Sequence, residues 1–125
     1  MPKISVNGLR LYYVSEDDGE PVVLIPGFAA GRWIWFKQTE DLSRHFRVIV
    51  FDPRGVSASD KPEGPQTISL LADDIAHLLQ TIGIESAHIV GASFGGFVAQ
   101  EFALKYPAMT RRLVLCCTSF GGPNH

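Results

Sequence analysis

The chain has 125 residues, a formal net charge of -2, 46% hydrophobic residues and a mean hydropathy of +0.10, with a pI near 6.0. That composition suits one domain with enough apolar material for a real core, and it excludes a strongly basic nucleic-acid or anionic-membrane surface. No apolar run approaches the ~20 residues of a membrane span, and the opening Met1-Pro2-Lys3-Ile4-Ser5 has no apolar leader, so no membrane partner and a cytoplasmic location are expected.

Two short alternating runs, 3–6 and 9–15, flank Asn7-Gly8. That dipeptide between two such runs is a strong hairpin signal. Asp17-Asp18-Gly19-Glu20 is a polar turn. Residues 21–26 form an apolar strand without polar alternation, as a central strand of a parallel sheet would. Gly27-Phe28-Ala29-Ala30-Gly31 follows as a loop. Residues 33–45 read as a helix, with Trp35, Phe36 and Leu42 on its apolar side. Residues 46–51 are a second buried strand, leading into the polar loop Asp52-Pro53-Arg54-Gly55-Val56-Ser57-Ala58-Ser59-Asp60.

The clearest helix covers 67–82. Ile68, Leu71, Ile75, Leu78, Leu79 and Ile82 recur at helical spacing. Thr67 suits its N-cap, and Gly83 the left-handed residue past its end. His77 falls on its polar side. A strand at 87–90 and a helix at 97–106 follow, with Pro107 stopping the helix. Gly96, Ala99 and Ala103 let that helix approach the sheet. Residues 112–117 are the last strand. It holds both cysteines, Cys116 and Cys117, which are adjacent and so face opposite sides of a strand. They read as two small buried residues in a reducing compartment rather than a disulfide. Strands alternating with helices after an opening hairpin give an α/β domain, mainly parallel, with helices on both faces. Ligands in such sheets bind beyond the carboxyl ends of the strands.

The organising stretch is Gly91-Ala92-Ser93-Phe94-Gly95-Gly96. Gly-x-Ser-x-Gly alone recurs by chance in roughly 4% of chains this long. Its weight comes from the strand before it and the helix after it, the context of a nucleophile elbow. A sharp turn there strains Ser93 and leaves its hydroxyl exposed at the strand tip. Gly91 and Gly95 remove side chains that would clash, and the helix aims its amides at the same spot. The alternative is a glycine-rich turn with an incidental serine.

These residues resemble the α/β-hydrolase superfamily. Gly91-Ala92-Ser93-Phe94-Gly95-Gly96 looks like its nucleophile elbow. Ile25-Pro26-Gly27-Phe28 stands in the place of the oxyanion loop, where many members have His-Gly. The loop 52–60 resembles Asp-x-Arg-Gly-x-Gly-x-Ser. The resemblance implies Ser93 as nucleophile, with the backbone amides of Phe94 and Phe28 as the oxyanion hole. Asp52 and Arg54 would brace loops, and Arg54 is the obvious partner for a buried Asp52. No cofactor and no metal site are implied. Serine at 93 points away from dehalogenase-like and epoxide-hydrolase-like members, which use aspartate there.

The resembling family places an acid and then a histidine after its nucleophile. Beyond Ser93 this chain has Glu101, no aspartate, and His125 as its last residue, while His45, His77 and His88 precede the elbow. Residues 1–125 therefore read as the N-terminal half of an α/β-hydrolase core domain, without cap and C-terminal strands. Two functions follow. One is a serine-nucleophile hydrolase core for a small-molecule ester or related carbonyl substrate, acting through an acyl-serine with triad partners supplied from elsewhere. The other is a non-catalytic truncated, split or engineered half-domain that self-associates. The strand 112–117 would present an open edge, so a homo-oligomer or a complementing chain is the expected protein partner.

Overall fold

The computed structural model describes residues 3–6, 8–16, 18–27, 30–56, 59–61 and 67–116. β1 (Lys3–Val6) and β2 (Leu9–Glu16) form the opening hairpin, with Val6 opposite Leu9 across the two-residue loop and Gly8 at φ 83°. The positive φ is what such a tight turn demands. Then come β3 (Glu20–Ile25), a 3₁₀ turn (Arg32–Trp35), α1 (Phe36–Leu42) and β4 (Phe46–Phe51). α2 (Ile68–Thr81), β5 (Ala87–Ala92), α3 (Phe94–Lys105), a second 3₁₀ turn (Pro107–Met109) and β6 (Thr110–Cys116) complete the described chain.

The six strands make one sheet in the order β1-β2-β4-β3-β5-β6. β2 runs antiparallel to β4, whereas β3, β4, β5 and β6 are mutually parallel. The unbroken apolar runs of β3 and β4 are explained by burial on both faces. Val23, Ile25, Ile49 and Phe51 pack into a core under α2 and α3, while Val22, Leu24, Val48 and Val50 pack into a second core with Trp35. α2 starts on a side-chain cap, Thr67 Oγ1 accepting from the Leu70 amide at 3.0 Å. Its apolar stripe and that of α3 meet around Ile75, Leu78 and the fully buried Phe102.

Several expectations need correction, beginning with the strand expected over 87–90, which runs over Ala87–Ala92, and the helix expected over 97–106, which spans Phe94–Lys105. The helix anticipated over 33–45 is a 3₁₀ turn followed by a short α1. The tighter turn changes the angle between successive side chains. Trp35 enters the core while Phe36 stays 64% exposed, its ring 5.9 Å from the Lys37 ammonium. The last strand runs over Thr110–Cys116, two residues earlier at its start than expected. Cys116 is exposed rather than buried: it ends β6, an edge strand that among the described strands pairs with β5 alone; Cys117 lies outside the described residues.

Candidate active site

The strand order reverses at β3. The chain leaves β3 for β4 on one side and returns to β5 on the other, and this switch opens a crevice at the carboxyl ends of the two strands. Ile25 lies opposite Gly91 in the β3–β5 register, so Pro26 and Gly27 run out beside Ala92 and Ser93. A methyl group built on Gly27 would stand 3.8 Å from the Ser93 Cβ. Two stretches more than sixty residues apart in sequence thus meet at one point.

Ser93 has φ 55° and ψ -122°, the one positive φ outside glycine among the described residues. That region is sparsely populated for any residue with a side chain, and holding it requires support from all sides. The support is visible. The Ser93 amide donates to the Cys116 carbonyl at 2.9 Å, and its own carbonyl accepts from the Gly96 amide at 2.9 Å. A methyl on Gly91 would come within 2.3 Å of the Gly95 carbonyl oxygen. One on Gly95 would come within 2.5 Å of the Ile25 and Pro26 carbonyl oxygens. Strand and helix are therefore closer together than any other residue pair would allow.

Serine at an N-cap ordinarily spends its hydroxyl on the helix amides. Here it does not: Ser93 caps α3 in position, but its side chain makes no capping hydrogen bond. The residue is exposed, and among the described residues no group hydrogen-bonds its hydroxyl. Phe94 is the first residue of α3, at the positive end of the helix dipole. Phe28, the other expected amide donor, lies outside the described residues.

The loop after β4 is braced as expected, but with different partners. Asp52, fully buried, accepts from the Arg32 amide at 2.9 Å and pairs with the Arg32 guanidinium. Arg32 also lies 3.9 Å over the Tyr12 ring. Arg54, the expected partner of Asp52, instead makes a two-pronged bond to Asp74 on α2, at 2.7 and 2.8 Å. The carboxylate holds the Arg54 guanidinium even more firmly protonated than usual. Ser59 fixes the far end of the loop, its hydroxyl donating to the Asp52 carbonyl at 2.5 Å and accepting from the Tyr12 amide at 2.9 Å. Asp74 escapes a sequence reading that records only the apolar positions of α2. Its signal is its place three residues after Leu71 and one before Ile75, inside the buried stripe.

The histidines and Glu101 do not join this crevice. His88 sits in β5 and its Nε2 lies 3.3 Å from Glu20 at the start of β3, the opposite end of the sheet. His77 and His45 are exposed, on α2 and after α1; His125 lies outside the described residues. Glu101 is half-buried on α3, two turns from Ser93. Among the described residues there is no cluster of three or more potential metal ligands, and no helix is long and apolar enough to cross a membrane.

The alpha/beta hydrolase fold model matches residues 20–125. The chain belongs to that family. Epoxide hydrolase 3 of Mus musculus is 35% identical over 92% of this chain and 32% of its own length. The enol-lactonase from Burkholderia xenovorans superposes with a TM-score of 0.91, at 33% identity over 94% of this chain and 47% of its own. A thermophilic esterase from Thermogutta terrifontis superposes with a TM-score of 0.89, at 36% identity over 98% of this chain and 46% of its own. The chain thus spans a third to a half of the length of these relatives, all of them hydrolases by name.

Proposed function

We propose that the chain carries the nucleophile-bearing part of a serine hydrolase for esters or related carbonyl substrates. The observation that carries this reading is Ser93: strained, exposed, and not used as a helix cap. The likeness extends to an epoxide hydrolase, so the shared fold does not choose the reaction. The residue at the elbow does. A serine oxygen attacks a carbonyl carbon to give a tetrahedral adduct, whose oxyanion the Phe94 and Phe28 amides receive. The serine proton passes to a general base and then to the departing alkoxide. Water attacks the acyl-serine by the same route, releasing the acid and restoring the hydroxyl. No described histidine reaches Ser93 and His125 lies outside the described residues; in this reading the base and its acid partner come from a second chain or a further length of sequence, with His125 as the one intrachain alternative downstream.

The test is covalent labelling. A fluorophosphonate probe is expected to modify Ser93 in the protein together with whatever supplies the base, and Ser93→Ala is expected to abolish labelling and hydrolysis of p-nitrophenyl acetate alike. Labelling that survives Ser93→Ala overturns the assignment. A second reading, a non-catalytic half-domain that self-associates, draws on the exposed edge of β6; an unlabelled, ester-inert protein in its complete assembly favours it. The exposed thiol of Cys116 fits a reducing compartment, and on that ground we place the protein in the cytoplasm.

A further inference from the structure

A cavity of about 240 Å³ lies on the α2 side of the crevice. Gly27 and Phe94, which flank Ser93, are part of its lining, together with Phe51, Val56, Leu71 and Val98. Its one ionisable wall residue among the described residues is Asp74, whose carboxylate oxygens are both engaged by Arg54. We propose that this cavity is a binding site for an uncharged apolar group the size of a phenyl ring or short branched chain, borne on the acyl side of the substrate. The proposal rests on the Ser93 reading for which part of the substrate enters, but not for the site itself.

Size, lining and position support it. An apolar cavity of about 150 Å³ suffices to hold benzene, so this one is ample for a single ring. Apolar walls reward removal of such a group from water. No Lys, Arg or His lines the cavity among the described residues, and Asp74 is already paired with Arg54, so an anionic substituent would be desolvated there with no cation to pair with it. Gly27 and Phe94 both line the cavity, and a methyl built on Gly27 would stand 3.8 Å from the Ser93 Cβ, so a substituent on a carbonyl carbon at Ser93 starts beside the cavity wall.

Two measurements test it separately. In the first, benzene is titrated into the Ser93→Ala protein while methyl resonances are followed. Saturable shifts are expected at Leu71, Ile75 and Val98, with smaller amide shifts at Phe94. Val56→Trp, which fills the cavity from its loop, is expected to remove them; Leu71→Phe does the same from α2 should the first variant not fold. Shifts that avoid these methyls, or persist in the folded filled variants, overturn the site. In the second, p-nitrophenyl phenylacetate, acetate and succinate monoester are compared as substrates of the labelling-competent protein. Filling the cavity is expected to lower the phenylacetate-to-acetate ratio of kcat/KM by roughly 10-fold or more, the discrimination typical of an apolar subsite. An unchanged ratio, or a preference for the anionic ester, overturns the acyl assignment. Inertness toward every ester, with benzene still bound, instead sinks the Ser93 reading and leaves the site standing.

Discussion

Ser93 is held at φ 55° and ψ -122°. Such a conformation stores on the order of 1–3 kcal/mol. Glycine relieves it but loses roughly 0.5–1 kcal/mol in chain entropy. Ser93→Gly is therefore expected to be about 1 kcal/mol more stable than Ser93→Ala in urea unfolding, since alanine keeps the strain. Equal stabilities would show that the backbone there is relaxed. The two flanking glycines make the complementary test. A methyl at Gly91 or Gly95 meets backbone oxygen at 2.3 or 2.5 Å, which no side-chain rotation relieves. Gly95→Ala is expected to destabilise by roughly 1–3 kcal/mol, the range for overpacking a tight contact. Gly27→Ala, whose nearest neighbours stand at 3.8 Å, is expected to fold with little change in melting temperature.

Between elements, α2 and α3 are tied by a surface network as well as by their apolar stripes. Lys105 donates to Asp73 at 2.7 Å and to Ser69 at 2.7 Å, and the Tyr106 hydroxyl donates to Asp73 at 2.5 Å. The Lys105 hydrogen bond, followed by that of Tyr106, holds the Asp73 carboxyl below its ordinary range. Asp73 in turn pushes the Tyr106 hydroxyl up to about 12 from 10.0. A depressed carboxyl stabilises the fold above its unfolded value and loses that contribution as pH falls through its folded value; a raised phenol stabilises below its unfolded value and loses it as pH climbs. Tyr106→Phe is thus expected to narrow its stability gap to the parent between pH 10 and 12, and Asp73→Asn to narrow its own below about pH 4. A gap that stays constant across both windows would show that the network contributes through packing alone. The elements joined here were legible in sequence because their periodicity was strong: Thr67 caps α2 as its type and position foretell, and β3 and β4 are apolar throughout because both faces are covered. The strained turn at Ser93 was legible because a strand and a helix joined through Gly91 and Gly95 leave few geometries. The partners of Asp52 and Arg54 were not. Pairing of buried charges depends on how loops from different elements cross, and Arg32 sits twenty residues from Asp52 on a 3₁₀ turn that carries no sequence period.

At the scale of the molecule, β6 is an edge strand of the described sheet. It pairs with β5 along one edge, and among the described residues its other edge has no strand. Leu113, Val114 and Leu115 are all exposed, Val114 to 47%, and Leu104 on α3 nearby in the chain is 80% exposed. A strand in the middle of a hydrolase sheet would bury such residues on both faces, as β3 does here. An apolar edge with unpaired backbone groups is a template for another strand, and apolar patches beside it favour association. The charges at Arg111 and Arg112 sit at the start of β6; Arg111 is engaged with Glu20 at 2.8 Å and Ser86 at 3.0 Å, so it guards the edge poorly. We propose that the chain associates through β6, with two-fold pairing of two copies as the simplest closed arrangement. Sedimentation at micromolar concentration is expected to show a dimer or larger species. Leu113→Lys combined with Leu115→Lys places two charges on one face of the edge strand and is expected to shift the protein toward monomer without lowering its helical circular dichroism. A parent protein that sediments as a monomer at that concentration would overturn the pairing, as would a dimer that survives both lysines.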